Sequence, residues 1–339
     1  MAYTTIDNPE LYFQAKLYTG SGSIQAITLD GDEDMQPDLV IQKDRGNVRH
    51  HNVYDSVRGV KARLRADATN AEYTADATNG FDSFDSDGFT LEADSSSLGT
   101  NEDTEDYVAW CWKESATAGF DIVQFTGNDT ARTISHNLSA VPGLIICKNP
   151  SEGAAEWPVY HHKNTTAPET ERLFLSGTQA TLDNATFFND TAPTTSVFSV
   201  GTSSDINGNT NSIISYVFAE KQGYSKFGSY AGNANANGVF IYTGFKPAFF
   251  ICKRADATVV NSWNIFDNKR NTFNETNCFV EADTSDAEDC ASGGIDFLSN
   301  GIKIRTASAR FNQSSSTYIY IAFAEAPFVN SNGVPCNAR

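Results

Sequence analysis

A few residues in this chain of 339 have types and spacings that could do chemistry. Asp30, Asp32 and Asp34 alternate, as acids do at the first three ligand sites of a calcium loop. Met35 stands where such a loop needs glycine, and Ile41 where it needs a bidentate glutamate. The three are therefore weak metal candidates beside the plainer reading of a solvated acidic turn. Asp82, Asp85 and Asp87 before Gly88 read as a turn. His50-His51 and His161-His162 are adjacent pairs, and neighbouring strand residues face opposite ways, so neither pair readily chelates one ion. Trp157 and Trp263 lie beside Asn-rich loops, 205–211 and 232–238. Flat aromatic faces with amide donors and acceptors are the chemistry of sugar binding. Trp157, Trp263, Asn207, Asn209 and Asn235 are thus candidate glycan contacts, and the alternative is that both tryptophans are core. No GxSxG, HExxH, Walker or GxGxxG pattern occurs, and no carboxylate pair stands out. No enzyme and no cofactor are expected.

The elements that hold these residues repeat. Pro37-Asp-Leu-Val-Ile-Gln-Lys43, Pro142-Gly-Leu-Ile-Ile-Cys-Lys148 and Pro247-Ala-Phe-Phe-Ile-Cys-Lys253 recur at a step of 105 residues. Each copy opens with aromatic-small-Gly at Tyr18, Phe125 and Tyr230, and closes with an aromatic-rich run ending at Glu114, Glu220 or Glu325. Tyr54-Asp55, Tyr160-His161 and Phe266-Asp267 fall in register between them. A period this long is a domain-sized unit and not a solenoid repeat. The Pro-led apolar runs read as buried strands. Asp87-Gly88 and Asn300-Gly301 read as hairpin turns. Along the last closing run, Tyr318, Tyr320 and Ala322 share one face and Ile319, Ile321 and Phe323 the other. The expected fold is all-β: three tandem β-sandwich (jelly-roll, lectin-like) domains at 15–115, 116–222 and 223–328. An N-terminal docking arm (1–14) and a C-terminal tail (329–339) flank them. Short connectors suggest units packed in a row. The recurrent lysines and glutamates are expected as structural pairs: Lys43 with Glu114, Lys148 with Glu220, Lys253 with Glu325.

The net charge is −18, and 1–114 carries −13 of it while 222–339 is neutral. Such an acidic chain is a poor partner for nucleic acid. It has no apolar run of bilayer length, so no membrane insertion is expected, and the start shows no secretory signal. Cys147 and Cys252 occupy equivalent strand positions and read as reduced core residues. Cys278 and Cys290 lie twelve apart in an acidic loop and are open to one disulfide.

Gly223-Tyr-Ser-Lys-Phe-Gly-Ser-Tyr230, Phe240-Ile-Tyr-Thr-Gly-Phe-Lys-Pro247 and Tyr320-Ile-Ala-Phe-Ala-Glu-Ala-Pro-Phe328 resemble a repeated domain of uncharacterised function. That domain occurs in tail-fibre and other virion structural proteins of marine bacteriophages. The resemblance implies a virion protein of β-sandwich, lectin-like domains, assembled in the host cytoplasm and displayed on tail or capsid. It carries over no catalytic residues. The implied role is a tail fibre or receptor-binding protein attaching to a host-surface glycan. The alternative is a capsid-decoration or fibre-spacer protein with no ligand. Expected partners are other virion proteins through the N-terminal arm, a host glycan or receptor, and further copies of the chain, with a trimer favoured.

Overall fold

The computed structural model describes residues 3–74, 80–94, 98–256 and 261–337. The chain is nearly all-β, with several antiparallel sheets and single-turn helices. Each Pro-led run forms a strand: Leu39–Asp44, Leu144–Lys148 and Phe245–Arg254. In each copy the closing strand (Asp106–Trp112, Ser212–Phe218, Thr317–Pro327) lies between the opening strand and the Pro-led one. The opening strands are Phe13–Thr19, Phe120–Thr126 and Ser225–Ala231. The mid-unit strands Asn52–Asp55, Pro158–His161 and Asn264–Asp267 follow on the far side. Each large sheet is partnered by a small one, built on Gln25–Thr28, Arg132–Ser135 or Phe240–Tyr242. The two turn signals hold: Asp85 pairs with Gly88, and Leu298 with Gly301.

Alternation along the closing strands explains their composition. Tyr320, Ala322 and Ala324 enter the core between the two sheets of their own copy. Ile319, Ile321 and Phe323 point the other way, into a second core. That core also takes Val108, Trp110 and Trp112 from the first copy and Ile214, Tyr216 and Phe218 from the second. An antiparallel sheet commonly leaves one face in water; these three bury both. This corrects the expected row of units, because the three large sheets share one core. Phe323 meets rings from all three copies, with centroids of Phe13, Trp112, Phe218 and Phe249 at 5.5, 5.7, 5.7 and 6.1 Å. An apolar cavity of about 80 Å³ lies among Ile41, Trp110, Ile146, Phe218, Ile251 and Phe323.

The segment expected as a docking arm is packed onto this body. Phe13 and Gln14 already belong to the first strand, and Thr4, Ile6 and Phe13 are buried. Thr4 Oγ1 donates to the Gln222 carbonyl at 2.8 Å, and the Tyr3 hydroxyl to the Gly244 carbonyl at 2.7 Å. In the tail, the Ser331 amide donates to Asp7 at 2.6 Å. Among the described residues no helix is long and apolar enough to cross a membrane.

Truncating Phe323 to Ala opens a void where the three sheets meet. The expected loss is about 3–5 kcal/mol of unfolding free energy, read by urea titration. Both wild type and variant should unfold in one transition followed by all probes. Separate transitions for the copies would refute a common core.

Candidate functional site

The three copies meet at three joints built to one plan. Each copy offers a short acceptor segment to the next. Its first carbonyl (Arg65, Phe174, Glu281) accepts from a ring N–H: Trp157 Nε1 at 3.0 Å, Trp263 Nε1 at 2.8 Å and His51 Nε2 at 3.0 Å. Four residues on, Thr69, Thr178 and Ser285 accept from Lys148, Lys253 and Lys43 at 3.0, 3.2 and 3.3 Å. Three residues further, the amides of Glu72, Thr181 and Glu288 donate back to Pro150, Ala255 and Arg45 at 2.7, 3.0 and 2.9 Å. The second copy thus docks on the first, the third on the second, and the first on the third. His51 fills the place that the first copy does not give to tryptophan.

Several expected roles are corrected by this arrangement. Trp157 and Trp263 are each 1% exposed, so neither presents a face to a sugar. The lysines do not pair with their glutamates. Lys43, Lys148 and Lys253 lie opposite Val108, Ile214 and Ile319, and each glutamate is six residues further along the chain, Glu325 on the same strand and Glu114 and Glu220 two residues past its end. At about 3.3 Å per residue the two charges are roughly 20 Å apart. The lysine ammonium groups instead reach backbone carbonyls, such as Asp44 at 2.8 Å and Arg49 at 2.9 Å for Lys43. Asn207 is also buried, donating to the carbonyls of Thr130 and Gly201 at 2.8 and 2.7 Å. Asn101 and Asn312 do the same work in the other copies. Asn209 and Asn235 are exposed.

The mid-unit position supplies the rest of each joint. Asp55 accepts from the Tyr216 hydroxyl at 2.7 Å, and Asp267 from Trp110 Nε1 at 3.1 Å. Each aspartate is held by an arginine three residues on, Arg58 or Arg270, at 2.6 Å. Those arginines pair in turn with Glu72 at 2.8 Å and Glu288 at 3.1 Å. The middle copy replaces the whole set with neutral groups. Ile321 has no donor where the other copies have Trp110 and Tyr216, so His161 donates Nε2–H to the Tyr320 carbonyl at 3.1 Å. Asn164 stands for arginine and Thr181 for glutamate, 2.5 Å apart. An arginine left beside a neutral histidine would be an uncompensated buried charge, which is costly. Burial pushes the Asp267 carboxyl up, but the Arg270 guanidinium and the Arg270 and Lys269 amides together outweigh it and hold it below its ordinary range.

Burial pulls all three lysines down to about 8, against nearby carboxylates. It also pulls His51 down to about 4 and His161 to about 3, so both rings are neutral near pH 7. His161 Nδ1 then accepts from the Lys163 amide at 3.2 Å.

The recurrent glutamates sit apart from the joints, each lining a different pocket. Burial and then a hydrogen bond with Asp121 raise Glu114 to about 7. Glu220 accepts from the Phe227 amide at 2.7 Å, and Glu325 pairs with Lys246 at 2.6 Å. Asp30 pairs with Lys16 at 2.5 Å, and Asp32 and Asp34 are exposed. Among the described residues the one close grouping of metal-type ligands is Cys278, Glu288 and Cys290. The two cysteines are joined in a disulfide.

One outer surface differs between copies. Phe240 and Tyr242 point outward from an edge strand, 47% and 49% exposed, with Ile241 buried between them. The matching outward positions are Ala26 and Thr28 in the first copy and Thr133 and Ser135 in the second. The scaffold therefore does not need aromatics there. Gly301 leaves room for the Phe240 ring, which would lie 3.0 Å from a Cβ at that position. The Tyr242 hydroxyl is 3.5 Å from that of Tyr3, and the exposed Asn235 lies five residues before Phe240. The expected sugar contacts overlooked this pair because its distinguishing signal is a mismatch between copies and not a shared motif.

The model of a family described as a domain of unknown function (DUF7483) matches residues 8–327. The chain belongs to that family. Its match takes in all three copies and ends with the last closing strand at Pro327, so the DUF7483 unit is the whole three-copy body. None of the curated proteins and none of the solved structures compared with the chain matches it.

Two outcomes follow for this DUF7483 body. Asp267→Ala leaves Arg270 buried without its partner and should cost about 3–5 kcal/mol in denaturant unfolding. A cost under about 1 kcal/mol would mean that the charge is solvated. For pH, the folded histidines titrate at about 4 and 3, and unfolded histidine titrates near 6.5. Between those values the unfolded chain binds more protons, so stability falls as pH falls from about 6.5 towards 3. The His51→Gln/His161→Gln double variant should show a shallower fall in Tm between about pH 6.5 and 4. Parallel curves would mean that the two rings are not buried neutral.

Proposed function

We propose that the chain is a bacteriophage virion structural protein, a rigid decoration or spacer block on the tail or capsid. The phage assignment rests on the resemblance of segments such as 223–230 and 240–247. The structural role rests on one observation: the repeated lysine, tryptophan and aspartate chemistry is spent inside the joints. Repetition here serves to close a block, and neither tryptophan is left to touch a ligand. The two-sheet copies support reading 15–115, 116–222 and 223–328 as three β-sandwich modules of jelly-roll, lectin-like type. The block would assemble in the host cytoplasm and contact other virion proteins through its outer surfaces. A threefold arrangement already exists within one chain, so a homotrimer is not needed to produce it.

A second reading, host-glycan attachment, is favoured by Phe240 and Tyr242. Two outward rings near an exposed asparagine loop suit the apolar face and hydroxyls of a sugar. Weak contacts of this kind would gain from many copies on one particle.

The first test is gold-labelled antibody against the chain on purified particles. Regularly placed label is expected, and its absence from intact particles would remove the virion reading. Adsorption of particles carrying Phe240→Ala/Tyr242→Ala to host cells separates the two roles. Unchanged adsorption supports the spacer, whereas a drop of about tenfold or more, as for lost stacking contacts, supports attachment.

A further inference from the structure

We propose that the Cys278–Cys290 disulfide is a redox latch on the joint between the third and first copies. Two joints are tethered by the chain itself: 113–119 connects the first copy to the second, and 219–224 the second to the third. No connector crosses the remaining joint, which holds through packing and hydrogen bonds, among them that of Tyr3 in the N-terminal segment to the Gly244 carbonyl of the third copy. Apart from Asp267 and the Gly244 carbonyl that takes Tyr3, the acceptors that the third copy offers there lie between the two cysteines. The Glu281 carbonyl takes His51 Nε2–H, and the Ser285 carbonyl takes Lys43. The Glu288 carboxylate takes Arg45 at 2.9 Å and Arg270 at 3.1 Å. The Glu288 amide donates to Arg45 in return. The equivalent acceptor segments, 65–72 and 174–181, contain no cysteine. A covalent clip therefore brackets the acceptor segment of the one joint that has no tether. With Glu288 occupied by two arginines, the grouping is poorly suited to hold a metal.

The closing step balances by thiol–disulfide exchange. One cysteine thiolate attacks a low-molecular-weight disulfide RSSR, forms a mixed disulfide and releases RS⁻. The second thiolate attacks the protein sulfur of that mixed disulfide, forms Cys278–Cys290 and releases the second RS⁻. The protein loses two electrons and two protons, and two RSH result. Fixing the ends of 278–290 restricts the conformations open to the segment when it is undocked, which favours the docked state. A chain made in a reducing cytoplasm would then fold first and close the latch on release. That timing rests on the virion reading, but the latch itself does not.

The test uses the full chain carrying Cys336→Ser, so that the three remaining cysteines outside the latch are buried. Native protein is incubated with oxidised glutathione or with a phosphine reductant, and then alkylated and weighed. Oxidised protein should show Cys278 and Cys290 protected, and reduced protein should show both labelled. Hydrogen exchange on the two forms should speed up after reduction at 43–51 and 281–288, by about tenfold or more. Exchange at 148–157 and 174–181, and at 253–256 with 261–263, should not change. The Cys278→Ser/Cys290→Ser variant should reproduce the reduced pattern. Labelling of both cysteines in the glutathione-treated protein overturns the proposal. So does equal exchange in the two forms, or acceleration at all three joints alike. None of these outcomes depends on whether the chain is found on a particle.

Discussion

The closing strands have no face to give to water, and the remaining architecture follows from that. Trp110 and Trp112, Tyr216 and Phe218, and Ile321 and Phe323 all lie on the face turned away from their own copy's core. A single copy would expose that whole face. Two copies packed together would still leave large rings such as Phe323 partly wet. Three sheets turned inward bury all of them, and short connectors then suffice because consecutive copies are neighbours in space.

Hydrophobic burial alone would let three such sheets slide and rotate. The polar groups at the joints fix how they meet. Each joint buries a lysine, a ring N–H and an acidic or imidazole side chain, and such groups are tolerated only where their partners are in place. The sets change together. Where Ile321 removes a side-chain donor, histidine replaces aspartate, asparagine replaces arginine and threonine replaces glutamate. A partial exchange would strand a charge in the interior, so the joint has a charged solution and a neutral one. The neutral joint carries a histidine, His161, whose burial opposes protonation, and this makes acid a specific stress on the assembly.

The same constraint bears on function. Side chains that recur in all copies tend to be the ones the joints consume, such as Lys43, Lys148 and Lys253, or the ones that tie loops within a copy, such as Asn101, Asn207 and Asn312. Residues free to meet a partner are those that one copy has and the others lack. Phe240 and Tyr242 belong to that class, and so do the cysteines around the acceptor segment of the third copy. In a chain built by repetition, departure from the repeat is the better guide to ligand and regulatory chemistry.

The order of residues determined the strands, their turns and the repeat itself. Leu144-Ile-Ile146 behind Pro142, Asp87-Gly88 and the two-faced run from Tyr318 to Phe323 are local patterns, and local sterics and alternation suffice to read them. The equivalence of Asp55, His161 and Asp267 is legible too, along with the Trp157–Trp263 register. What those residues touch is not. Recurrence suggests pairing Lys43 with Glu114, but antiparallel register sets Lys43 opposite Val108, six residues before Glu114. Trp157 reads as a sugar platform because its loops are polar, yet its indole faces the neighbouring copy. Whether a side chain that is apolar on one edge and polar on the other meets water or another sheet depends on which surfaces come together. Contacts between residues 75 to 242 positions apart decide that, and no local pattern encodes them.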